Sequence, residues 1–468
     1  FMAARDGKVF AEGWWTPYGP ERIHCNHSLG KSYTAAAIGI LYTQRKLKLE
    51  ERVVDLFADE LRQYGIEPDE NMKKLTVYHV LTMTNGMARH PIMDADWLKN
   101  YLAEPVVAEP GTEFLYNSSG SCLLGAVVKK KTGKGMREFL KEFLFDKIGI
   151  DGERFQIFRF PDGYDAEPGT ASVTEDNLRL AILFMNYGNW NGEQIIAEDW
   201  MHMAMSCQIS TESNGGTEDY RHGYGFQLWN SAIPGVYRFD GGQGQYGLIW
   251  PERKIAVAIH EGAVMPEGPQ ITLDVLYEYL LNEMRNEPLP EDPQADAALL
   301  EFERNLKVPE QEANTLYVPT ECFSGSYAVV SGDGDPWISV APGGYNFFTC
   351  FYHDDKKQAF TDFTLKTDEQ KCVFTVDGYA VFEAYFDGKH HPVYTDNVLP
   401  EIGWNCSYAR YLDEDTLQIT TKWLNGWFDD RIVIKKKGDI LEMTFYKDRL
   451  TVSDNRYTIK HCTAKRQQ

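Results

Sequence analysis

A run of small and apolar residues behind a serine is the feature that most constrains this 468-residue chain. Residues 28–44 read SLGKSYTAAAIGILYTQ, and from Ala35 to Leu41 they offer no polar side chain. Such a run is typical of a helix that is buried on all sides rather than amphipathic. We therefore predict a central helix that begins near Ser28 and whose small residues let neighbouring elements approach closely.

The start of this helix combines a hydroxyl group with an amine. Ser28 and Lys31 are three residues apart, so both side chains lie on one helical face. A serine needs a neighbouring base to become a nucleophile, and lysine is one of the recognised bases. Burial and the positive end of the helix dipole both favour the neutral amine, while a backbone N–H there can stabilise an oxyanion. The pattern alone also fits an ordinary serine N-cap.

The eight cysteines show no C-x-x-C pair and no spacing typical of a metal site. We interpret them as mostly reduced. Cys25, three residues before Ser28, is a rival nucleophile, but the sequence offers no dedicated base for it. No metal and no organic cofactor are expected.

The formal net charge of −22 argues against nucleic acid and anionic membrane surfaces as partners. No apolar run approaches the ~20 residues of a membrane-spanning helix, and no charged-then-apolar leader opens the sequence. The first strand begins at residue 1, however, so a leader could have been lost. We expect a soluble protein, with a cytoplasmic location slightly favoured, and leave the oligomeric state open.

The composition changes after residue 285, which predicts two domains. A proline-rich, acidic linker occupies 286–293, and a short helix is predicted at 295–306. Before the linker, a mixture of strands and helices indicates a domain of the α and β type. The predicted elements are a hairpin at 1–15, a helix that starts at 75–81 and ends at 84–86 (with Gly86 as C-cap), helices at 122–128, 134–147, 174–187 and 268–285, and strands at 224–229 and within 237–261.

Beyond the linker, about 150 residues alternate between short strands and turns. Regular short strands are typical of a sandwich or a small closed barrel. We see no catalytic constellation in this part. The predicted strands are 323–330, 345–353, 359–367, 372–376, 379–386, 416–424, 429–435 and 440–446.

A serine-lysine site also needs a proton route to the leaving group and a second oxyanion donor. Tyr116 is the candidate for the first, since it follows a Pro-Gly turn and precedes a buried helix. A glycine-rich strand edge can provide the second because its backbone can approach a substrate closely. The segment DGGQGQ at 240–245 fits that requirement. Taken singly, such a tyrosine is more often packed, and such glycines more often form a hairpin turn.

Together and in this order, these motifs resemble the serine β-lactamase and penicillin-binding-protein superfamily. They resemble especially its branch of class C β-lactamases, DD-peptidases and family VIII esterases. The resemblance covers roughly residues 1–285. It rests on the S-x-x-K of Ser28 and Lys31, on LTVYHVLTMTNG at 75–86, and on PGTEFLYNS at 110–118. The last segment is similar to the P-G-x-x-F-x-Y-S-N pattern of the branch.

The resemblance implies roles for individual residues. Ser28 would be the acylated nucleophile, Lys31 its base partner, and Tyr116 the proton shuttle of acylation and deacylation. Ser118 stands where the branch usually has asparagine, so the contact of that asparagine with a substrate amide is in doubt.

The K-T-G motif of the family corresponds here to Phe239-Asp240-Gly241. Gly241 is retained, and the resemblance implies that Gly242 supplies an oxyanion N–H together with the nucleophile. The lysine, which in the family adds positive charge and helps to hold a substrate carboxylate, is lost. An unpaired Asp240 facing the cleft would repel a carboxylate. The alternative is that Asp240 points outward or is neutralised by Arg238.

The resemblance therefore implies an α/β (α+β) serine hydrolase. We predict a β-lactamase/transpeptidase-like domain at 1–285, a linker with a short helix at 286–315, and an antiparallel, lipocalin-like β-barrel domain at 316–468. The expected substrate is a small-molecule or peptide-like ester or amide, hydrolysed through an acyl-enzyme. An esterase or peptide amidase fits the lost lysine better than a β-lactamase. The alternatives are a β-lactamase or DD-peptidase proper, and a catalytically inactive relative that binds a ligand.

Overall fold

The computed structural model describes all residues except 264–266, 288–289, 333–359, 379, 396–402, 427–428, 449–456 and 468. The strand predicted at 345–353 therefore lies outside the described residues. The chain divides into two compact units. The first unit comprises Phe1–Gly13 and Cys25–Ala297, and the second comprises Trp14–His24 and Ala298–Gln468.

The first eleven strands of the chain all precede residue 260. Six of them form the main sheet of the first unit, and the others pair in two small sheets. They are β1 (Met2–Arg5), β2 (Lys8–Glu12), β3 (His24–Cys25), β4 (Gln156–Arg159), β5 (Asp165–Ser172), β6 (Asn189–Trp190), β7 (Glu193–Gln194), β8 (Trp229–Asn230), β9 (Tyr237–Gly241), β10 (Gln245–Trp250) and β11 (Ile255–Ile259).

Most helices lie between the hairpin at the start of the chain and the last strands of the main sheet. In the described part of the chain, every helix is too short or too polar to span a lipid bilayer. The α-helices are α1 (Gly30–Thr43), α2 (Val53–Leu56), α3 (Ala58–Tyr64), α4 (Val77–Leu81), α5 (Trp97–Ala103), α6 (Ser118–Thr132), α7 (Met136–Leu140), α8 (Asp146–Ile148), α9 (Thr174–Met185), α10 (Glu198–Met205), α11 (Glu267–Leu276) and α12 (Pro293–Arg304).

The main sheet has the order β2-β1-β11-β10-β9-β8, and its neighbouring strands pair antiparallel. Helix α9 packs against β10 and β11. Leu248 and Val257 of the same two strands pack with Leu273 of α11 in one apolar cluster. β11 is buried at all five positions, as expected of a strand that is covered on both faces.

Helix α1 is the buried central helix that the sequence predicts, since every residue from Gly30 to Leu41 is buried. Gly39 lets Trp200 of α10 pack closely on this helix, because a Cβ at Gly39 would lie 2.5 Å from Trp200 Nε1. The hairpin at the start of the chain and the helices predicted at 122–128 and 174–187 are also confirmed.

The predicted end of the helix that starts at 75–81, at 84–86 with Gly86 as C-cap, is wrong. Helix α4 ends at Leu81, and Thr82 is the C-cap residue. Gly86 does adopt a left-handed φ of +70°, but it lies in the following turn. There a Cβ would meet the Ala108 carbonyl oxygen. Close packing, rather than helix termination, explains this glycine.

The strand predicted at 224–229 is also wrong over most of its length. Only its last residue belongs to a strand, because β8 begins at Trp229. Gln227 has a φ of +60°, and its N–H donates to the Leu81 carbonyl oxygen at 3.1 Å instead of to a ladder partner. The alternation of apolar residues here reflects a packed irregular segment.

The second unit contains a β-barrel. Its strands follow the order β15-β14-β13-β12-β21-β20-β19-β18-β17-β16, and a parallel pairing of β15 with β17 closes nine of them into a ring. This confirms the closed-barrel alternative. The strands are β12 (Gly325–Gly332), β13 (Asp362–Thr367), β14 (Lys371–Val376), β15 (Ala380–Tyr385), β16 (Pro392–Tyr394), β17 (Trp404–Asp413), β18 (Thr416–Trp423), β19 (Asp429–Lys437), β20 (Ile440–Asp448) and β21 (Tyr457–Arg466).

A segment from the start of the chain, Trp14–His24, belongs to the second unit. The Thr16 N–H donates to the Leu306 carbonyl oxygen at 3.0 Å. Asn425 Nδ2 donates to the Ile23 carbonyl oxygen at 2.7 Å. Tyr18 packs on the buried cluster that contains Tyr408. The sequence analysis did not predict that Trp14–His24 belongs to the second unit. The limits 1–285 of the hydrolase domain therefore stay a prediction, which the folding of the isolated fragment can test.

A fragment of residues 1–285 is therefore expected to melt at a lower temperature than the intact chain and to bind more of a hydrophobic dye. In such a fragment Trp14–His24 would lack the backbone and side-chain partners that the second unit provides. The control is the full chain cleaved at a protease site inserted at 286–293, which keeps both pieces together. Equal melting temperatures for the fragment and for the first unit of the cleaved chain would contradict this expectation.

Candidate active site

The S-x-x-K pair lies at the start of α1. A 3₁₀ turn, His27–Leu29, leads directly into the helix. Ser28 is partly exposed, whereas the Lys31 side chain is only 1% exposed. Lys31 Nζ lies 2.6 Å from Ser28 Oγ. The N-cap alternative is not supported, because Leu29 is the N-cap residue of α1 and no side chain caps the helix.

Burial changes the charge of the Lys31 amine. Desolvation lowers its pKa from 10.5 to about 7, although Cys122 and Asp240 nearby favour the charged form. At pH 7 about half of the amines are then neutral, whereas an ordinary lysine is almost fully protonated. A neutral amine can accept the hydrogen bond of the Ser28 hydroxyl and then its proton. The sequence-based expectation of a neutral lysine agrees with this environment.

Tyr116 completes a compact group with these two residues. Its hydroxyl lies near enough to the Ser28 side chain for that side chain to oppose the rise of the Tyr116 pKa, and the Lys31 amine lies 4.9 Å from the centre of its ring. Burial of the hydroxyl raises the Tyr116 pKa, so the phenol keeps its proton at neutral pH. The ring stacks on Trp229, with centroids 5.8 Å apart and planes 20° apart. The structure thus brings the three predicted catalytic residues together.

The Cys25 alternative fits the structure poorly. The thiol is 1% exposed, and burial raises its pKa to about 12. The thiolate form that a cysteine nucleophile requires is therefore strongly disfavoured. The seven described cysteines form no disulfide with one another. The described residues also contain no group of three or more His, Cys, Asp or Glu side chains placed to hold a metal ion.

Asp240 is buried and paired rather than an exposed, isolated charge. Arg238 Nε donates to its Oδ2 at 2.8 Å, and the Tyr220 hydroxyl donates to its Oδ1 at 2.9 Å. Arg238, itself 0% exposed, also lies 3.5 Å from Asp219. Burial raises the Asp240 pKa, while Arg238 and Tyr220 oppose that rise. Of the two alternatives, the structure therefore favours neutralisation by Arg238.

The glycines that follow Asp240 occupy a crowded position and an open one. A Cβ at Gly241 would lie 2.1 Å from the Asn26 carbonyl oxygen and 3.1 Å from the Leu29 nitrogen. Only glycine lets β9 approach the backbone around Ser28 this closely. A Cβ at Gly242 would have no neighbour within 4 Å among the described residues. The predicted oxyanion donor therefore lies at an open position of a turn that follows the strand packed on the nucleophile's loop.

The tyrosine motif places its polar residues differently from the family pattern. Asn117 is 1% exposed, and its Oδ1 accepts the Gly120 N–H at 3.1 Å as the N-cap of α6. This asparagine is therefore not available to a substrate. Ser118 is only partly buried.

A histidine that the sequence analysis missed holds the backbone of Ser118. His90 Nε2 accepts the Ser118 N–H at 2.8 Å, and its Nδ1 lies 2.9 Å from the Pro91 carbonyl oxygen. Only the neutral ring with its proton on Nδ1 satisfies both contacts. Desolvation of the ring nitrogens and, to a lesser extent, the Lys31 charge lower the His90 pKa and favour this form, although the hydrogen bond to Pro91 opposes the shift. No local motif marks His90, because its partner is 28 residues away in sequence.

A buried glutamine behind the site was also missed. Gln227 Oε1 accepts the Ser121 hydroxyl of α6 at 2.6 Å, and its main-chain oxygen accepts the Ser32 hydroxyl of α1 at 3.1 Å. Its Nε2 donates to the carbonyl oxygens of Val80 and Leu81. Through its main chain and its side chain together, this one residue links the helix of Lys31 to the helix that follows Tyr116.

The fold is that of the class of serine β-lactamases and penicillin-binding proteins. A family model for Beta-lactamase matches residues 1–261. This match covers more than half of the chain, so the chain belongs to the Beta-lactamase family. It is a β-lactamase-family hydrolase, as the motifs predicted.

Known proteins with similar sequence agree with this membership. Penicillin-binding protein 4 of Amycolatopsis lactamdurans is 29% identical over 272 residues, which are 50% of this chain and 70% of that protein. A monacolin J acid methylbutanoyltransferase of Aspergillus terreus is 27% identical over 108 residues, 20% of this chain and 26% of that enzyme.

Similarity to solved structures supports the fold. A candidate 6-aminohexanoate-dimer hydrolase from Bacillus anthracis aligns with a TM-score of 0.50 and 18% sequence identity. The alignment covers 59% of this chain and 77% of that protein.

Proposed function

We propose that this chain hydrolyses esters or amides of uncharged acyl groups through an acyl-enzyme on Ser28. The observation that carries the proposal is the 2.6 Å distance between Ser28 Oγ and the buried amine of Lys31. A hydroxyl group beside an amine with a pKa of about 7 is a nucleophile with its base already in place.

In the acylation step, the neutral Lys31 amine accepts the Ser28 proton while Ser28 Oγ attacks the carbonyl carbon. The carbonyl oxygen becomes an oxyanion, and backbone N–H groups of Ser28 and Gly242 donate hydrogen bonds to it. The tetrahedral intermediate then expels the alcohol or amine. Tyr116, held as a neutral phenol, passes a proton to that leaving group and recovers one from the Lys31 ammonium.

Deacylation follows the same route in reverse. A water molecule takes the place of the leaving group and gives a proton to the Tyr116 and Lys31 pair as it attacks the acyl carbon. The second tetrahedral intermediate collapses, Ser28 leaves with a proton, and the carboxylic acid is released. Lys31 returns to the neutral form, so the cycle uses only side chains and water.

The choice of uncharged substrates rests on the residues at the K-T-G position. Phe239 replaces the lysine and is 0% exposed, with its ring against Phe184 at a centroid distance of 4.9 Å. Asp240 is held by Arg238. The position thus lacks an available cation to pair with a substrate carboxylate. Of the relatives, one is named a penicillin-binding protein and one an acyltransferase, and both names are compatible with an acyl-enzyme.

Labelling with a fluorophosphonate probe tests the proposal. The phosphorus atom of such a probe forms a stable bond with an activated serine oxygen, so an enzyme is labelled at Ser28 and peptide mapping locates the adduct. A ligand-binding relative without turnover would not be labelled. Hydrolysis of a chromogenic cephalosporin faster than of simple esters would instead support the alternative of a β-lactamase.

A matched pair of substrates measures the predicted preference for neutral acyl groups. We expect kcat/KM for p-nitrophenyl hexanoate to exceed that for the mono-p-nitrophenyl ester of adipic acid, because only the latter carries a carboxylate. Asp240→Asn should shift the ratio towards the adipate ester by about tenfold, since it leaves the Arg238 charge less compensated.

The ratio provides its own control, because general damage to the site lowers both rates. Two outcomes would contradict the expected preference: a wild-type enzyme that favours the adipate ester, and a ratio that Asp240→Asn leaves unchanged. Phe239→Lys is not a suitable variant, since the side chain at that position is fully buried.

A further inference from the structure

The turn that carries the proposed oxyanion donor is short and tightly constrained. β9 and β10 form a hairpin in which Gly241 pairs with Gln245. Three residues, Gly242 to Gly244, connect the strands. Gln243 and Gly244 both have a left-handed φ, of +61° and +86°. A turn of three residues, two of them left-handed, leaves few orientations to its peptide groups.

The side-chain amide of Gln245 is hydrogen-bonded to this turn. Its Nε2 donates to the Gly242 carbonyl oxygen at 3.2 Å and to the Glu261 carbonyl oxygen at 2.6 Å. Its Oε1 accepts the Glu261 N–H at 3.3 Å. The residue is 0% exposed. The amide therefore ties the carbonyl of Gly242 to the chain just beyond β11.

Contacts on both sides of the turn leave it little freedom to move. A Cβ at Gly244 would lie 1.8 Å from Glu261 Oε1, so the Glu261 side chain fills the space beside that glycine. The Ala263 N–H donates to the Gln243 carbonyl oxygen at 3.0 Å. On the other side, the position that a Gly241 Cβ would take lies 2.9 Å from Gln245 Cβ. Gln245 thus contacts the strand that packs on the loop of Ser28.

We propose that Gln245 is a positioning residue for the oxyanion site. Its amide fixes the Gly242 carbonyl, and through the short turn it sets the direction of the Gly242 N–H relative to Ser28 Oγ. The inference rests on the proposed function, because it gives Gly242 a role in that reaction. Gln245 itself touches no reacting atom. Its effect is confined to steps that develop negative charge on the substrate oxygen.

Two substitutions separate this role from a merely structural one. Gln245→Met keeps the length of the side chain but removes all three hydrogen bonds. Gln245→Glu keeps the shape, loses both N–H donors and places a carboxylate oxygen near two carbonyl oxygens. Folded sites are counted by end-point labelling with a fluorophosphonate probe, and rates are expressed per labelled site.

Each variant is expected to lower kcat/KM for p-nitrophenyl hexanoate by about 10- to 100-fold per site, since loss of a whole oxyanion donor costs 10²- to 10³-fold. The inhibition constant of a phenylboronic acid should rise by the same factor. Its tetrahedral adduct with Ser28 also places an oxygen at the oxyanion site. A structural defect would lower the number of labelled sites instead.

Gln194→Met is the matched control. In the wild type, Gln194 Nε2 also donates to two carbonyl oxygens, those of Tyr187 and Ile196 at 2.7 and 2.6 Å. This glutamine lies in the β6–β7 hairpin, outside the candidate site. We expect the variant's rate per site to stay within about twofold of the wild type. Rates per site within twofold in both Gln245 variants, or unchanged boronate inhibition despite a lower rate, would overturn the inference. Failure of the wild type itself to be labelled at Ser28 would overturn the proposed function.

Discussion

Replacement of Ser28 by alanine is expected to lower the hydrolysis of p-nitrophenyl hexanoate by a factor of about 10³ or more. The reason is that no other described hydroxyl lies in hydrogen-bond contact with the Lys31 amine. Without Ser28 Oγ the substrate carbonyl has no covalent partner, and the residual rate reflects only binding and oxyanion stabilisation. Steady-state kinetics and loss of fluorophosphonate labelling measure the effect.

Two further variants make the Ser28 experiment specific. Cys25→Ala removes the rival nucleophile and is expected to retain nearly full activity, because that thiol is buried with a raised pKa. Ser118→Ala removes a second hydroxyl near the tyrosine motif and is expected to remain labelled. Retained activity in Ser28→Ala together with loss in Cys25→Ala would exclude the serine mechanism. Circular dichroism and the melting temperature show whether each variant is folded.

Local geometry explains why the core of the site could be predicted from the sequence. Ser28 and Lys31 are one helical turn apart, so their side chains meet wherever this segment forms a helical turn. The burial of α1 follows from its composition. Tyr116 was a candidate from its Pro-Gly turn and the buried helix after it, but only the resemblance to a family implied its role, since its place beside Ser28 depends on how α6 and the preceding turn pack. Spacing in sequence alone does not determine that packing.

The interactions around Asp240 could be predicted only in part. Residues two apart on a strand share a face, so Arg238 and Asp240 were candidates for a pair. The other partners, Tyr220 and Asp219, come from a distant segment. The same limit applies to His90, whose partner Ser118 lies on another element.

Two features of the fold depended on tertiary contacts that no local pattern reveals. The segment 224–229 has the alternation of a strand, but the backbone of Gln227 is hydrogen-bonded to the end of α4. Trp14–His24 looks like an ordinary connection after a hairpin, yet Asn425 and Leu306 of the second unit hold its backbone. The closed barrel, in contrast, is one of the two folds that many short alternating strands indicate, although the pattern did not reveal β17 and β21.

Lys31→Met is expected to lower kcat/KM by about 10³-fold or more at pH 7 and at the same time to raise the melting temperature. The methionine side chain has a similar length but cannot accept the Ser28 proton. It also removes a buried amine, and burial disfavours that group, as its lowered pKa shows. A misfolded variant would lose activity and stability together. Activity within tenfold of the wild type would show that Lys31 is not the base.

The pH dependence of kcat/KM of the wild type should show the titration of the Lys31 amine. Because burial lowers the Lys31 pKa from 10.5 to about 7, the amine is protonated below pH 7 and neutral above it. Only the neutral form accepts a proton, so kcat/KM should rise with pH and level off above about 7. Glu261, whose pKa burial raises to about 7, titrates in the same range. If kcat/KM of Glu261→Gln still rises with pH, the rise reports the titration of Lys31. If the rise disappears in that variant, Glu261 controls it, and the proposed role of Lys31 as the titrating base is wrong.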